Sequence, residues 1–352
     1  MKLISILLLI TSYSYSSFTL ESHKFCQKDS KYHKKYCLEV LEVPYINKTV
    51  PKDIVLLIPG LLQNANIYDL VPEKGISLSR YISQKFNLKV YILNIRTVGD
   101  TTYIPNTSVD DIAIDDIPNA INFINKLTGK KPIVIGHSQG AISLNASISG
   151  LTRCAKFNCF DSKVALNRQG SVKNIGLLAG DNRLAMKESN PVLHLSRFIQ
   201  TIRPMLWAFD EIDLKLLSSF ISPLGYLNFW DIVVNEDNVS DFSKKMLLER
   251  SVESTSVAIL DQFTSGVVRG DLRSSSGESY ADNSKNILLP VYQQVFGKDW
   301  LSPFQSVLED SFLLIGSSDK VIEYLPHQGH EDFMVNSGFH TNIDPMIEFL
   351  IR

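Results

Sequence analysis

The sequence predicts an α/β protein: a mostly parallel sheet with helices on both faces and a helical insertion late in the chain. Three observations carry this. Short apolar, β-branched runs alternate with segments of helical period through the first half of the 352 residues. One small-residue turn, Gly136-His137-Ser138-Gln139-Gly140, sits between such a run and such a helix. Between about Asn182 and Lys285 the strand signal gives way to helical periodicity and returns only at Ile287.

Taken in order, Ile54–Ile58 reads as a buried strand ended by Pro59-Gly60, and Ser77–Phe86 as the helix that follows. Lys89–Asn94 is a second strand. Asp111–Leu127 spaces Ile114, Ile117, Ile121, Ile124 and Leu127 along one helical face and stops near Gly129. Pro132–Ile135 is a third strand, Ala141–Leu151 its helix, and Asn174–Leu178 a fourth strand. Runs apolar on every position suit strands covered on both faces, hence a parallel sheet. The insertion is rich in large apolar residues, among them Trp207, Phe209, Leu214, Leu216, Leu217, Phe220, Phe229 and Trp230, which suits a cap with its own small core. The expected divisions are a leader over 1–16, a first core segment over 17–181, the cap over 182–286 and a second core segment over 287–352.

Composition narrows the function classes. With 35 Lys and Arg against 37 Asp and Glu, the net charge of −2 offers no basic surface for nucleic acid. Lys2 followed by the apolar run Leu3–Ile10, then Ser14 and Ser16, reads as a secretory signal cleaved near Ser16, with an uncleaved anchor as the alternative. Cys26, Cys37, Cys154 and Cys159 suit an oxidising compartment. Three pairings are possible, and the short loops favour Cys26–Cys37 and Cys154–Cys159. Glycosylation sequons occur at Asn47, Asn106, Asn145 and Asn238, the third inside an expected helix.

The turn at residues 136–140 has the G-x-S-x-G pattern in the strand–helix context of a nucleophile elbow. A tight, strained turn lifts the Ser138 hydroxyl to the carboxyl end of the sheet and turns the Gln139 N–H toward a developing oxyanion. This predicts the α/β-hydrolase fold. A second oxyanion donor belongs on the loop after an earlier strand, where Gly60 permits close approach and Leu61 supplies the N–H.

Serine needs a base and an acid to orient that base, in the chain order Ser, acid, His. His327, His330 and His340 are near the C-terminal end. His330 follows the short apolar segment Val321–Leu325 and is preferred, with His340 second and His327 a loop residue. Two acids compete. Only ten residues separate Asp319 from His330, too few for a parallel crossover of a dozen or more. Asp299 follows a strand over Leu289–Val295 and leaves room for a helix over Ser302–Leu308 and a further strand. Asp299 is therefore preferred, and Asp319 falls in a turn.

At these residues the chain resembles the acid lipase family, the gastric and lysosomal lipases and their relatives. Asp116-Ile117-Pro118-Asn119-Ala120-Ile121, Thr128-Gly129 and the elbow resemble its helix–elbow signature, and Asn94-Ile95-Arg96 its Asn-x-Arg segment. Thr255-Ser256-Val257 and Gln262–Gly266 are similar to the end of its cap. Gly297–Leu301 with Pro303 and Val307 is similar to its acid loop, and His330-Glu331-Asp332-Phe333 to its His-x-Asp-Phe motif. The order holds over most of residues 50–352. Two departures stand out: Pro59 occupies the place of the family's usual His before Gly60, and the cap is shorter and poorly matched.

The resemblance implies a secreted or secretory-lumen ester hydrolase acting on neutral lipids such as triacylglycerols or cholesteryl esters. It would work through Ser138, Asp299 and His330, need no metal or organic cofactor, and touch lipid surfaces transiently through the cap. An acyl thioesterase or small-ester esterase with the same triad is the near alternative, and a non-catalytic hydrolase-like binding protein the distant one.

Overall fold

A computed structural model describes residues 19–31, 33–47, 49–213 and 229–352. The expected leader and its cleavage position near Ser16 lie outside these residues, as do Leu214, Leu216, Leu217, Phe220 and the side chain of Phe229 from the expected cap.

Eight strands form one sheet in the order β1-β2-β4-β3-β5-β8-β11-β12. They are β1 (Glu21–Lys28), β2 (Lys35–Glu42), β3 (Ile54–Ile58), β4 (Lys89–Asn94), β5 (Ile133–His137), β8 (Ile175–Leu178), β11 (Val291–Phe296) and β12 (Lys320–Leu325). The six from β4 to β12 run parallel, while β1 and β2 add an antiparallel edge. Every residue of β3, β5, β8 and β11 is buried; β3 and β8 carry no polar side chain, while β11 also buries Gln293 and Gln294 and β5 ends in His137. Two large apolar clusters lie on opposite faces, one including Leu56, Ile58, Val134 and Ile142, the other Val55, Leu57, Ile135 and Met346.

The helices follow the reading with local differences. Helix α1 (Leu78–Phe86) is capped by the Ser77 side chain and ends at Asn87 in the left-handed region. The expected helix over 111–127 begins earlier, at Ser108, which makes a capping box with Asp111. It then passes through α2 (Val109–Asp111) and a π-turn (Ile112–Asp116) into α3 (Ile117–Thr128). Pro118 lies just past the π-turn; it cannot donate to the ladder of this continuous helix, and the π-turn falls where that bond is missing. Helix α4 (Gln139–Ile148) starts directly at the elbow and buries Asn145.

One feature is a correction. The strand expected from Ile287 begins at Val291, because Pro290 cannot donate to the ladder. The β1–β2 hairpin and the small hairpin of β6 (Leu151–Arg153) and β7 (Asn158–Phe160) went unread. Both are pinned by the disulfides Cys26–Cys37 and Cys154–Cys159, the pairing expected from loop length.

After α5 (Ser162–Gln169), residues 182–286 carry the helix α6 (Pro191–Leu206), the short strands β9 (Glu211–Ile212) and β10 (Thr255–Ser256), and helices at Phe229–Val233, Asp241–Arg250, Val257–Arg269 and Tyr280–Asn283. Ile199 and Leu206 of α6 bury against Ile212, Val257 and Leu260, a small core separate from the two sheet faces. No described helix is long and apolar enough to cross a membrane.

The edge hairpin is tied to the sheet by charge. Arg96, just past β4, is fully buried. Its Nε donates to Asp116 Oδ1 at 2.7 Å and its Nη1 to Asp29 Oδ2 at 2.6 Å, with the Tyr36 ring 4.4 Å from the guanidinium carbon. One cation thus joins β4, the π-turn and the hairpin. Replacing one partner of a buried pair strands the others, so Arg96→Met should cost about 3–5 kcal/mol in denaturant unfolding. A loss under about 1 kcal/mol would show that the cluster is not what anchors the hairpin.

Candidate active site

The chain reverses direction across the sheet between β3 and β5, and in such folds the crevice at the carboxyl ends of the neighbouring strands is the binding place. Ser138 lies there, directly after β5. Its backbone is at φ 52°, ψ −120°, a left-sided conformation that costs a non-glycine residue energy and is held by its surroundings. Ser138 N donates to Leu178 O at 2.8 Å, and Ser138 O accepts from Ile142 N at 3.0 Å. The flanking glycines are required sterically. A Cβ on Gly136 would meet the Gly140 carbonyl and the Ala141 N at 2.6 Å, and one on Gly140 would meet the Ile58 and Pro59 oxygens at 2.5 Å. Ser138 is partly exposed while its neighbours on both sides are buried.

Asp299 and His330 come together from two other strand ends. Asp299 lies in the turn after β11 and His330 on the loop after β12. His330 Nδ1 is 2.7 Å from Asp299 Oδ2, with both side chains buried. A carboxylate accepts, so Nδ1 carries the proton and Nε2 keeps a lone pair. The other Asp299 oxygen accepts from the N–H groups of Leu301 and Ser302 at 2.8 and 3.0 Å, and Ser302 Oγ donates to Ala179 O at 2.6 Å. The acid is thus fixed to the end of β8. The two loops also bond each other, Gly297 N to Leu325 O at 2.9 Å and Lys298 N to Gln328 O at 2.8 Å.

The other candidates are elsewhere. Asp319 is exposed and immediately precedes β12, so it stands at the opposite end of the sheet from Ser138. His340 is buried against the Tyr81 ring, and burial lowers its pKa to about 4. His327 is exposed, and its carbonyl accepts from Asn235 and Asn238.

The loop after β3 lies against the elbow. A Cβ on Gly60 would be 3.2 Å from Ser138 Cβ and 3.1 Å from His137 Nδ1. Leu61 N–H makes no hydrogen bond among the described residues. Gln139 is the first residue of α4, whose opening N–H groups have no intrahelical acceptor. Leu61, next to Gly60, and Gln139, next to Ser138, thus each carry an N–H with no acceptor among the described residues.

Charge at the site centres on His330. Burial pushes its imidazolium down, but the Asp299 charge and hydrogen bond outweigh this and hold its pKa above the ordinary 6.5. His137, fully buried, is kept well below 6.5 by burial and by His330. Its Nε2 donates to the His330 carbonyl at 3.1 Å. Burial pushes Glu331 up to about 7, against the pull of His330 and of a hydrogen bond from Gln63. Asp332 is raised by burial, yet accepts from Gly329 N, Asn238 Nδ2 and Asn235 N at 2.6–2.9 Å, tying the His330 loop to the cap.

Gln63, His137, Glu331 and Asn238 were not read as site residues. The two acids following His330 in an apolar setting were a signal, since charged residues are rarely buried without a task. His137, His330 and Glu331 bring donor atoms within 4.8 Å of one another, as do Glu21, His23 and Glu42 on the edge hairpin. Each of the first three already has a protein partner: Asp299 for His330, the His330 carbonyl for His137, Gln63 for Glu331. The cluster is thus explained as a hydrogen-bonded one.

Comparisons with known proteins bear on the fold. The chain superposes over 96% of its length on 97% of a soluble variant of monoglyceride lipase from Saccharomyces cerevisiae, with TM-score 0.62 and 14% identity. It superposes over 94% of its length on all of a thermophilic esterase from Thermogutta terrifontis, with TM-score 0.60 and 14% identity. No protein-family model matches the chain. In sequence it is 34% identical over 142 residues to a tear acid lipase-like protein of Mesocricetus auratus, a match covering 36% of this chain and 33% of that protein. The chain has the α/β-hydrolase fold. The sequence match spans about a third of the length of the acid lipase-like relative.

Removing the Asp299 charge should lower the His330 pKa. In an NMR titration of the histidine ring protons, Asp299→Asn should shift the His330 midpoint down by one unit or more, on the order of the effect of one adjacent opposite charge. An unchanged midpoint would mean that the pair does not control His330.

Proposed function

We propose that the protein is a serine hydrolase of carboxylic esters, acting on neutral lipid esters through an acyl-enzyme. The observation that carries the reading is the buried Asp299–His330 hydrogen bond beside the strained Ser138 elbow. In this mechanism the neutral His330 Nε2 takes the Ser138 proton as the hydroxyl attacks the ester carbonyl. Asp299 holds the ring in the needed tautomer and stabilises the imidazolium. The N–H groups of Leu61 and Gln139 receive the oxyanion. His330 then protonates the leaving alcohol, and water attacks the acyl-Ser138 ester by the reverse proton path to release the acid.

The lipid preference rests on the tear acid lipase-like relative and on exposed apolar groups of the cap. Met205, Trp207 and Phe209, at the end of α6, are 61%, 43% and 44% exposed, and we assign them to transient contact with a lipid surface. The two disulfides support a secreted or secretory-lumen protein.

Purified protein should hydrolyse long-chain acylglycerol emulsions faster than short soluble esters or acyl thioesters. Ser138→Ala should reduce the rate by at least about 10³-fold. Equal activity of Ser138→Ala would defeat the mechanism, and a preference for thioesters or short esters would reassign the substrate. Since the base must be neutral, kcat/KM should fall as pH drops through the His330 value, which lies above 6.5. An acid limb well below 6.5 in the free enzyme would contradict the assigned base.

A further inference from the structure

On the loop after β3, three successive residues differ as donors. Pro59 has no N–H. Gly60 N–H is taken by Gln63 Oε1 at 3.0 Å, in a buried bond. Leu61 N–H has no partner among the described residues. The side chain of Gln63 therefore decides which donor of the loop is left for an oxyanion.

Gln63 can do this only if its amide faces the right way, with oxygen toward Gly60. Its Nε2 donates to Glu331 Oε1 at 2.6 Å, across 268 residues of sequence. A carboxylate in that place accepts and so selects the amide orientation. Glu331 is fully enclosed and directly follows His330, so the strap spans the site from the base to the oxyanion loop. The backbone of Gln63 is fixed independently: it bridges Val252, and the next residue, Asn64, donates its N–H to Ser251 O at 2.8 Å.

We propose that Gln63, oriented by Glu331, is a positioning residue that sets the oxyanion loop by occupying the Gly60 N–H and leaving the Leu61 N–H free. This rests on the ester-hydrolase reading of Ser138 and adds to it a device that the triad does not require. It acts on the transition state: the oxyanion needs the donor in place, whereas ground-state binding does not.

The test uses steady-state kinetics on an ester that the wild type turns over, with a boronic acid as transition-state analogue. Gln63→Leu and Glu331→Leu should each lower kcat about 10–100-fold, the scale of a displaced oxyanion donor, with KM within about three-fold. Boronate affinity should fall in step with kcat. The double variant should be no worse than either single one, because one strap is cut in each. Glu331→Gln, whose carbonyl can accept from Gln63, should restore most of what Glu331→Leu loses.

Gln63→Glu supplies a second readout if the leucine variants do not fold. It sets a carboxylate against Glu331, among His330 and Asp332 on the same segment, Asp299 from the acid loop, His137 from β5 and Tyr68 beyond the oxyanion loop. Two acids sharing one proton can rebuild the strap, so its rate relative to wild type should rise as pH falls. The proposal is overturned if the leucine variants keep kcat within two-fold, if their losses multiply, if only KM changes, or if the Gln63→Glu ratio is flat with pH. No turnover by the wild type itself would instead overturn the hydrolase reading.

Discussion

A methyl group at position 140 would lie 2.5 Å from the carbonyl oxygens of Ile58 and Pro59. That approach, between the first turn of α4 and the end of β3, is the constraint on which the site depends. It brings the loop after β3 against the elbow, so that Gly60 and Ser138 are neighbours, and it forces the strained backbone that lifts Ser138 out of a buried strand. A larger residue at 136 or 140 would separate the two strand ends and with them the serine and the Leu61 N–H. The strain is sustained by the surrounding ladder, in which β5 is hydrogen-bonded on both sides by β3 and β8.

Around this fixed point the site is assembled from long-range polar contacts. Asp299 arrives from β11, His330 from β12 and Gln63 from β3; Asp299 and Gln63 are held by N–H groups of their own loops, and His330 by Asp299. His330, Glu331 and Asp332 are consecutive and face three different partners: Asp299, Gln63, and the cap residues Asn235 and Asn238. One short segment after β12 thereby connects Asp299, the loop after β3 and the segment carrying Asn235 and Asn238. Its burial explains why Glu331 is raised to about 7, and why His330 depends on the Asp299 charge to stay above its ordinary value.

How much of this was legible in the sequence follows from the range of each interaction. The elbow was legible because its glycines answer a local steric demand written within five residues. Connection length led to the expectation of Asp299 rather than Asp319; the structure puts Asp299 2.7 Å from His330 and Asp319 at the far end of the sheet. The core strands β3, β5 and β8 were legible because burial on both faces makes their runs mostly apolar. The β1–β2 hairpin was not: its alternating polar residues and five lysines read as surface, and its attachment depends on Arg96 and Asp29, 67 positions apart. Nor was the Gln63–Glu331 bond, since neither residue signals its partner. The start of the β11 strand was misread because Ile287–Pro290 is apolar yet ends in a residue without an N–H.

The central claim is that Ser138 is a nucleophile activated by His330. The most direct measurement is reaction with a fluorophosphonate followed by peptide mass spectrometry. The account predicts one adduct per chain, on the peptide containing Ser138, with labelling much slower in His330→Ala. No adduct, or an adduct on another residue at an unchanged rate in Ser138→Ala, would contradict it and favour a hydrolase-like protein that binds without catalysing.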